Sequence, residues 1–128
     1  MDVTPLIPSD RKVITGYGPG LIRVNEQPFD KPLMVWPTQT TPWRVGDISA
    51  LTLADFEFLR TEHSDEPIEV LLIGTGSTMQ FMAPKLREAI RALGPVPDIM
   101  DTGAACRTYN VLLAEGRPIA AALLPVEP

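Results

Sequence analysis

Proline sets the first limit on what this chain can fold into. Seven of its 14 prolines fall before residue 43, at Pro5, Pro8, Pro19, Pro28, Pro32, Pro37 and Pro42, and none falls between residues 43 and 66. Proline has no backbone N–H and its ring clashes with the preceding helical turn, so it is kept out of helix interiors and central strands. The first third must therefore be short strands and turns, and helices are left to the remainder. There the prolines punctuate: Pro84 opens a helix, while Pro67, Pro95, Pro97 and Pro118 flank strands.

Local patterns fill in the elements. Residues 12–17 and 21–25 read as short strands joined by Gly18-Pro19-Gly20, so a β-hairpin is expected. Leu33-Met34-Val35-Trp36 is an apolar run stopped by Pro37, as a buried strand would be. Residues 43–45 alternate and read as a brief strand. A first helix is expected from near Thr52, since Thr52 and Asp55 have capping-box spacing, flanked by Leu51 and Phe56 at staple positions. Residues 61–67 are polar and read as a surface loop. Val70-Leu71-Leu72-Ile73 closes the clearest strand, and its unbroken aliphatic run implies burial on both faces. A second helix starts at Pro84, with Leu86, Ile90 and Leu93 on one stripe and Gly94 as its stop. Residues 98–100 form a strand, 103–115 a third helix capped by Asp101 or Thr102, and 119–124 a last strand.

The second half thus reads β-α-β-α-β. Such crossovers are right-handed and leave the three strands parallel. The expected architecture is a single α/β domain over residues 1–128, with a core at about residues 10–125 and a mixed β-sheet. The N-terminal β-hairpin would extend the sheet or pack against it. At 128 residues the chain buries about two-thirds of its unfolded surface and needs no staples.

Composition removes several function classes. Eleven basic against 16 acidic residues give a net charge of −5 with no Lys/Arg run, so nucleic acid is not an expected partner. A single Cys106 makes no internal disulfide, and with a single His63 it completes no zinc site, so no metal and no cofactor are expected. No apolar stretch approaches 18 residues, so no membrane insertion is expected. The N-terminus lacks signal-peptide and transit-peptide character, so a cytoplasmic location is expected.

One place suits a site. Ligands of open α/β sheets collect beyond the carboxyl ends of parallel strands. Two such ends carry polar, glycine-bearing loops: Gly74-Thr75-Gly76-Ser77-Thr78, and Asp101-Thr102-Gly103 leading into Cys106, Arg107 and Asn110. The crossover makes these loops neighbours. Glycine lets backbone N–H groups approach a ligand, a helix N-terminus adds donors and partial positive charge, and Arg107 adds a full charge. A small anion is the ligand such a crevice would take.

Each of these residues also has a plainer role open to it. Gly74 and Gly76 suit a tight strand exit, since the third glycine of G-x-G-x-x-G falls at Met79 and no Gly-Lys-Ser/Thr occurs. Cys106 is either a thiol activated by the helix terminus and Arg107 or a small buried side chain beside Ala104 and Ala105. Asn110 shares a helix face with Cys106, Tyr109 and Leu113, and if buried it needs partners from a neighbouring loop or a ligand. Arg107 has an ion pair with Asp98 or Asp101 open to it, and Asp101 a cap. No catalytic constellation is present, so no catalytic residue is assigned.

Ile73-Gly74-Thr75-Gly76, then Met100-Asp101-Thr102-Gly103-Ala104-Ala105-Cys106-Arg107-Thr108-Tyr109-Asn110-Val111-Leu112, then Glu115-Gly116-Arg117 and Ala120-Ala121-Ala122-Leu123 resemble the Mth-like domain family, in its bacterial form. That family began as a domain of unknown function. It includes the mitochondrial respiratory complex I assembly factor 3 and the adipogenesis-associated Mth domain-containing protein. The resemblance implies the Mth-like α/β fold with a mixed sheet, and no established activity, cofactor or catalytic residue. By family analogy it implies a protein partner in respiratory-complex assembly.

Two functions are therefore open. One is a non-catalytic protein-interaction or assembly-factor-like domain, expected to expose an apolar patch around Trp36 and Trp43. The other is a small-anion or metabolite-binding protein, or an enzyme, with its site at loops 74–78 and 101–110.

Overall fold

A computed structural model describes residues 10–60 and 67–127. The chain runs β1 (Ile14–Gly18), β2 (Leu21–Val24), β3 (Gln27–Phe29), β4 (Leu33–Val35), β5 (Thr40–Pro42), β6 (Val70–Thr75), α1 (Pro84–Ala92), β7 (Val96–Met100), α2 (Thr102–Ala114) and β8 (Ile119–Leu124). Two 3-10 segments, Ile48–Ala50 and Leu53–Arg60, precede β6. The expected surface loop around His63, and Pro5 and Pro8, lie outside the described residues.

Five strands form one mixed sheet in the order β5-β4-β8-β6-β7. β6 is parallel to both β7 and β8, while β4 is antiparallel to β8 and β5. The aliphatic runs of β6 and β8 follow from this position, because a strand with helices on both faces has no polar side. Ile119, Ala121 and Leu123 of β8 face one core layer, and Ala120 and Ala122 face the other. α2 fills the first layer with Ala105, Cys106, Tyr109 and Leu113. α1 fills the second with Ile90, beside Trp36, Trp43, Ile48 and Phe56 from the connection between β4 and β6. The sheet is thus covered on both faces, in a single α/β domain.

β1, β2 and β3 form a separate antiparallel sheet. Its Ile14, Ile22 and Val24 pack into the same layer as α2, and the Tyr109 hydroxyl donates to the Lys12 carbonyl at 2.7 Å. The expected hairpin is β1–β2, closed at Pro19-Gly20, with Gly20 at φ 68°. β3 adds a second hairpin through Asn25 and Glu26, both at positive φ. Of the two placements left open for the hairpin, packing is the one observed, and β4 and β5 are what extend the sheet.

Three expectations need correction. The brief strand placed at residues 43–45 is instead Thr40–Pro42, because pairing with β4 fixes Thr41 opposite Met34 and turns Trp43 into the core. The helix expected from Thr52 is a 3-10 segment kinked at Phe56. The Asp55 side chain does accept from the Thr52 N–H, as a capping box requires. The Asp55 carbonyl, however, accepts from the Trp43 indole at 2.9 Å, and Phe56 is fully buried, so packing overrides the regular helix. Finally, Trp36 and Trp43 make no exposed patch. They are 1% and 4% exposed and lie against Phe58 and Phe56 at ring separations of 5.6 and 5.8 Å. Among the described residues, no helix is long and apolar enough to cross a membrane.

Candidate functional site

The carboxyl end of β6 meets the start of α2 and the end of β8 through one side chain. Thr102, wholly buried, donates its hydroxyl to the Leu124 carbonyl and accepts from the Gly76 N–H at 2.8 Å. Its own N–H donates to the Gly76 carbonyl at 2.9 Å. Gly74 has no room for a side chain, since a Cβ there would lie 3.0 Å from the Thr102 Cα. Gly76 sits at φ 96°, a conformation open to glycine and costly for other residues. Loops 74–78 and 101–110 are therefore neighbours, joined by hydrogen bonds of their own.

Thr75 braces the rest of the β6–α1 loop. It is 1% exposed, and its hydroxyl lies 2.7 Å from the Thr78 carbonyl and 3.2 Å from that of Met100, while accepting from the Gln80 N–H at 3.0 Å. The Gln80 side-chain amide returns a bond to the Thr75 carbonyl. Met82 is buried and pins the far end of the loop. Between these anchors Met79 is 46% and Phe81 is 87% exposed.

The other candidate residues have assigned partners. Asp101 is the cap of α2, accepting from the Ala104 N–H at 2.9 Å. Cys106 is buried in the layer between α2 and the sheet. Burial pushes its thiol up to about 12, outweighing the nearby Arg107, which favours the protonated sulfur at neutral pH. Arg107 donates to the Tyr17 hydroxyl, and among the described residues no ion pair joins it to Asp98 or Asp101. Asn110 accepts from the Ile14 N–H at 3.0 Å and donates to the Ile14 carbonyl at 2.7 Å. Ser77 and Thr78 are exposed.

Sequence reasoning missed three features here. Tyr17 crosses from the small sheet to lie over Gly103, where a Cβ would meet its hydroxyl oxygen at 2.7 Å. Only the three-dimensional approach of β1 to α2 reveals that contact. Met79 and Phe81 were legible in principle, because Met79-Gln80-Phe81-Met82 is an apolar-rich stretch inside a polar loop.

Residues 14–124 match the family described as "Protein of unknown function (DUF498/DUF598)". The chain belongs to this family. Within the DUF498/DUF598 family it is 34% identical over 113 residues to an uncharacterised protein of Rhodobacter capsulatus, covering 88% of this chain and 84% of that one. It is also 34% identical over 116 residues to NADH dehydrogenase (ubiquinone) 1 alpha subcomplex assembly factor 3 of Danio rerio. That match covers 88% of this chain, which spans 64% of the zebrafish protein. Among solved structures, a Bordetella pertussis protein described as a Mth938-like domain is 31% identical, with a TM-score of 0.79 over 99% of this chain and 94% of that one. The fold is thus the Mth938-like fold, as the resemblance implied.

Proposed function

We propose that this DUF498/DUF598 domain is a non-catalytic protein-interaction domain that assists assembly of a multisubunit enzyme, and that it works in the cytoplasm. The observation that carries this reading is the exposure of Phe81 and Met79 on a loop braced by Thr75. Two apolar side chains exposed close together on a fixed backbone supply the contiguous apolar surface that an interaction site uses. The buried, protonated Cys106 and the internal bonding of Thr102, Asp101 and Asn110 support a non-catalytic role. The relationship to an assembly factor of NADH dehydrogenase (ubiquinone) supplies the candidate client.

Affinity purification of the tagged full chain from its native host is expected to recover subunits of an NADH dehydrogenase reproducibly. Deletion of the gene is expected to lower NADH:ubiquinone oxidoreductase activity in membranes. Repeated recovery of no common protein, with membrane activity unchanged, overturns the reading.

A second reading places a small anion or metabolite at loops 74–78 and 101–110, favoured by their adjacency. Gly74, Thr75, Gly76, Ser77, Asp101, Thr102, Gly103, Cys106, Arg107 and Asn110 are its residues. A ligand there would have to compete with the internal bonds of Gly76 and Ala104. Thermal-shift screening against carboxylates and nucleotides tests it, since a ligand at 100 times its Kd raises stability by about 2.7 kcal/mol.

A further inference from the structure

We propose that the loop bearing Met79 and Phe81 and the exposed basic side of α1 form one docking face, and that its partner is a folded protein with an apolar socket rimmed by carboxylates. The proposal rests on the interaction reading above and specifies the face and the partner's chemistry.

Two independent observations meet at this face. The first is shape. Phe81 is 87% exposed, yet its loop is fixed by the Thr75 hydroxyl on one side and by buried Met82 on the other. A projecting aromatic on a braced backbone binds with little ordering cost, and it requires a concave counterpart.

The second observation is charge. α1 begins three residues after Phe81 and exposes Arg87 and Arg91 on one stripe, with Lys85 further round beyond a single Glu88, a local charge of +2 in a chain of net −5. Helix stability explains this arrangement only at Arg91, which stands in the last turn where the dipole favours a cation. Lys85 stands in the first turn, where the helix dipole disfavours a cation, and Arg87 and Arg91 are like charges one turn apart. Among the described residues none of the three is held in an ion pair. These cations are positioned to meet carboxylates from outside the chain. An anionic bilayer is the poorer match, because the remainder of the chain carries a larger negative charge that such a surface repels.

The test places a photo-cross-linking phenylalanine analogue at position 81 of the full chain in its native host, with position 111, an exposed valine on α2, as control. A discrete adduct is expected from position 81 alone. Arg87→Glu combined with Arg91→Glu is expected to abolish it. The protein identified in the adduct, once purified, is expected to bind the wild-type chain and to lose about tenfold or more in affinity for Phe81→Ser. Thermal melts of both variants check that they fold.

If the wild-type chain recovers its partner while these variants recover it equally well, the face is wrong and the interaction reading stands. If the wild-type chain recovers nothing, the interaction reading itself fails. Flotation with phosphatidylcholine–phosphatidylglycerol vesicles that is lost in Phe81→Ser assigns the face to membrane instead. Sedimentation as a dimer that is lost in Phe81→Ser assigns it to a second copy. Either result overturns the proposal.

Discussion

At Cys106 two effects act on one sulfur in opposite directions. Burial raises the thiol from 9.0 to about 12, and the neighbouring Arg107 lowers it by less. The folded state therefore keeps its proton to about pH 12, while the unfolded chain releases it near pH 9.0. Between these limits the unfolded state binds fewer protons, so stability falls as pH rises, by at most about 1.4 kcal/mol per pH unit from this group. Burial shifts the Tyr109 hydroxyl the same way, adding to the loss above its ordinary 10.0. Urea unfolding midpoints should be level to about pH 8 and decline by about pH 10, and Cys106→Ala should flatten the first part of that decline. A thiol reagent at about pH 8 should find no reactive sulfur in the native chain and one after denaturation. Gly74 illustrates a steric constraint at the same scale. Gly74→Ala brings a methyl group to 3.0 Å from the Thr102 backbone, and pushing α2 off β6 should cost about 1–3 kcal/mol. Gly18→Ala meets nothing within 4 Å and should change urea stability little, which makes it the control.

Among the elements, α2 carries the most connections, since one face packs on the five-stranded sheet and the other anchors the small sheet. Asn110 is the anchor, closing both backbone groups of Ile14 on β1. Asn110→Ala leaves that N–H and carbonyl without partners and should cost about 2–3 kcal/mol. Hydrogen exchange should accelerate first at Ile14 and through β1 and β2, with β6 and β8 still protected. Uniform acceleration would mean that the small sheet has no separate stability. The elements that could be read in advance are those whose signal is local. The Pro19-Gly20 turn, the aliphatic run of β6, the stripe on α1 and the bounds of β8 all come from short-range pattern. The β2–β3 hairpin could not be read, because its turn is Asn25-Glu26, with no glycine at a position of φ 70°. It is held from a distance, by the Val13 N–H on the Asn25 side chain and the Glu26 N–H on the Thr15 hydroxyl. The candidate site divides the same way. The meeting of loops 74–78 and 101–110 follows from crossover handedness, whereas Asn110 choosing Ile14 and Arg107 choosing Tyr17 depend on how β1 docks.

For the whole molecule, the proline excess acquires a second meaning once strand register is known. The Val96 N–H donates to the Glu69 carbonyl, so the backbone of Val96, Asp98 and Met100 bonds toward β6, and that of Pro97 points away from β6 at a buried position. On β5, the Trp36 N–H donates to the Gln39 carbonyl and the Trp43 N–H to that of Pro32, which turns Pro42 to the open edge. On β3, Gln27 and Phe29 pair inward with β2, leaving Pro28 outside. The β3 and β5 edges thus carry an exposed proline where an N–H would otherwise invite another strand, β7 is covered at the buried Pro97, and β1 is closed at Ile14 by Asn110. Strand addition is disfavoured at these edges, which fits the proposed docking through the projecting Phe81. The combined variant Pro28→Val and Pro42→Val should keep its fold yet associate with rising concentration in sedimentation velocity, with each single variant associating less. Pro84→Ala, at a helix start away from every edge, should stay at the wild-type sedimentation coefficient. If the double variant sediments as wild type at every concentration, these prolines only end strands, and strand addition returns as a way for a partner to bind.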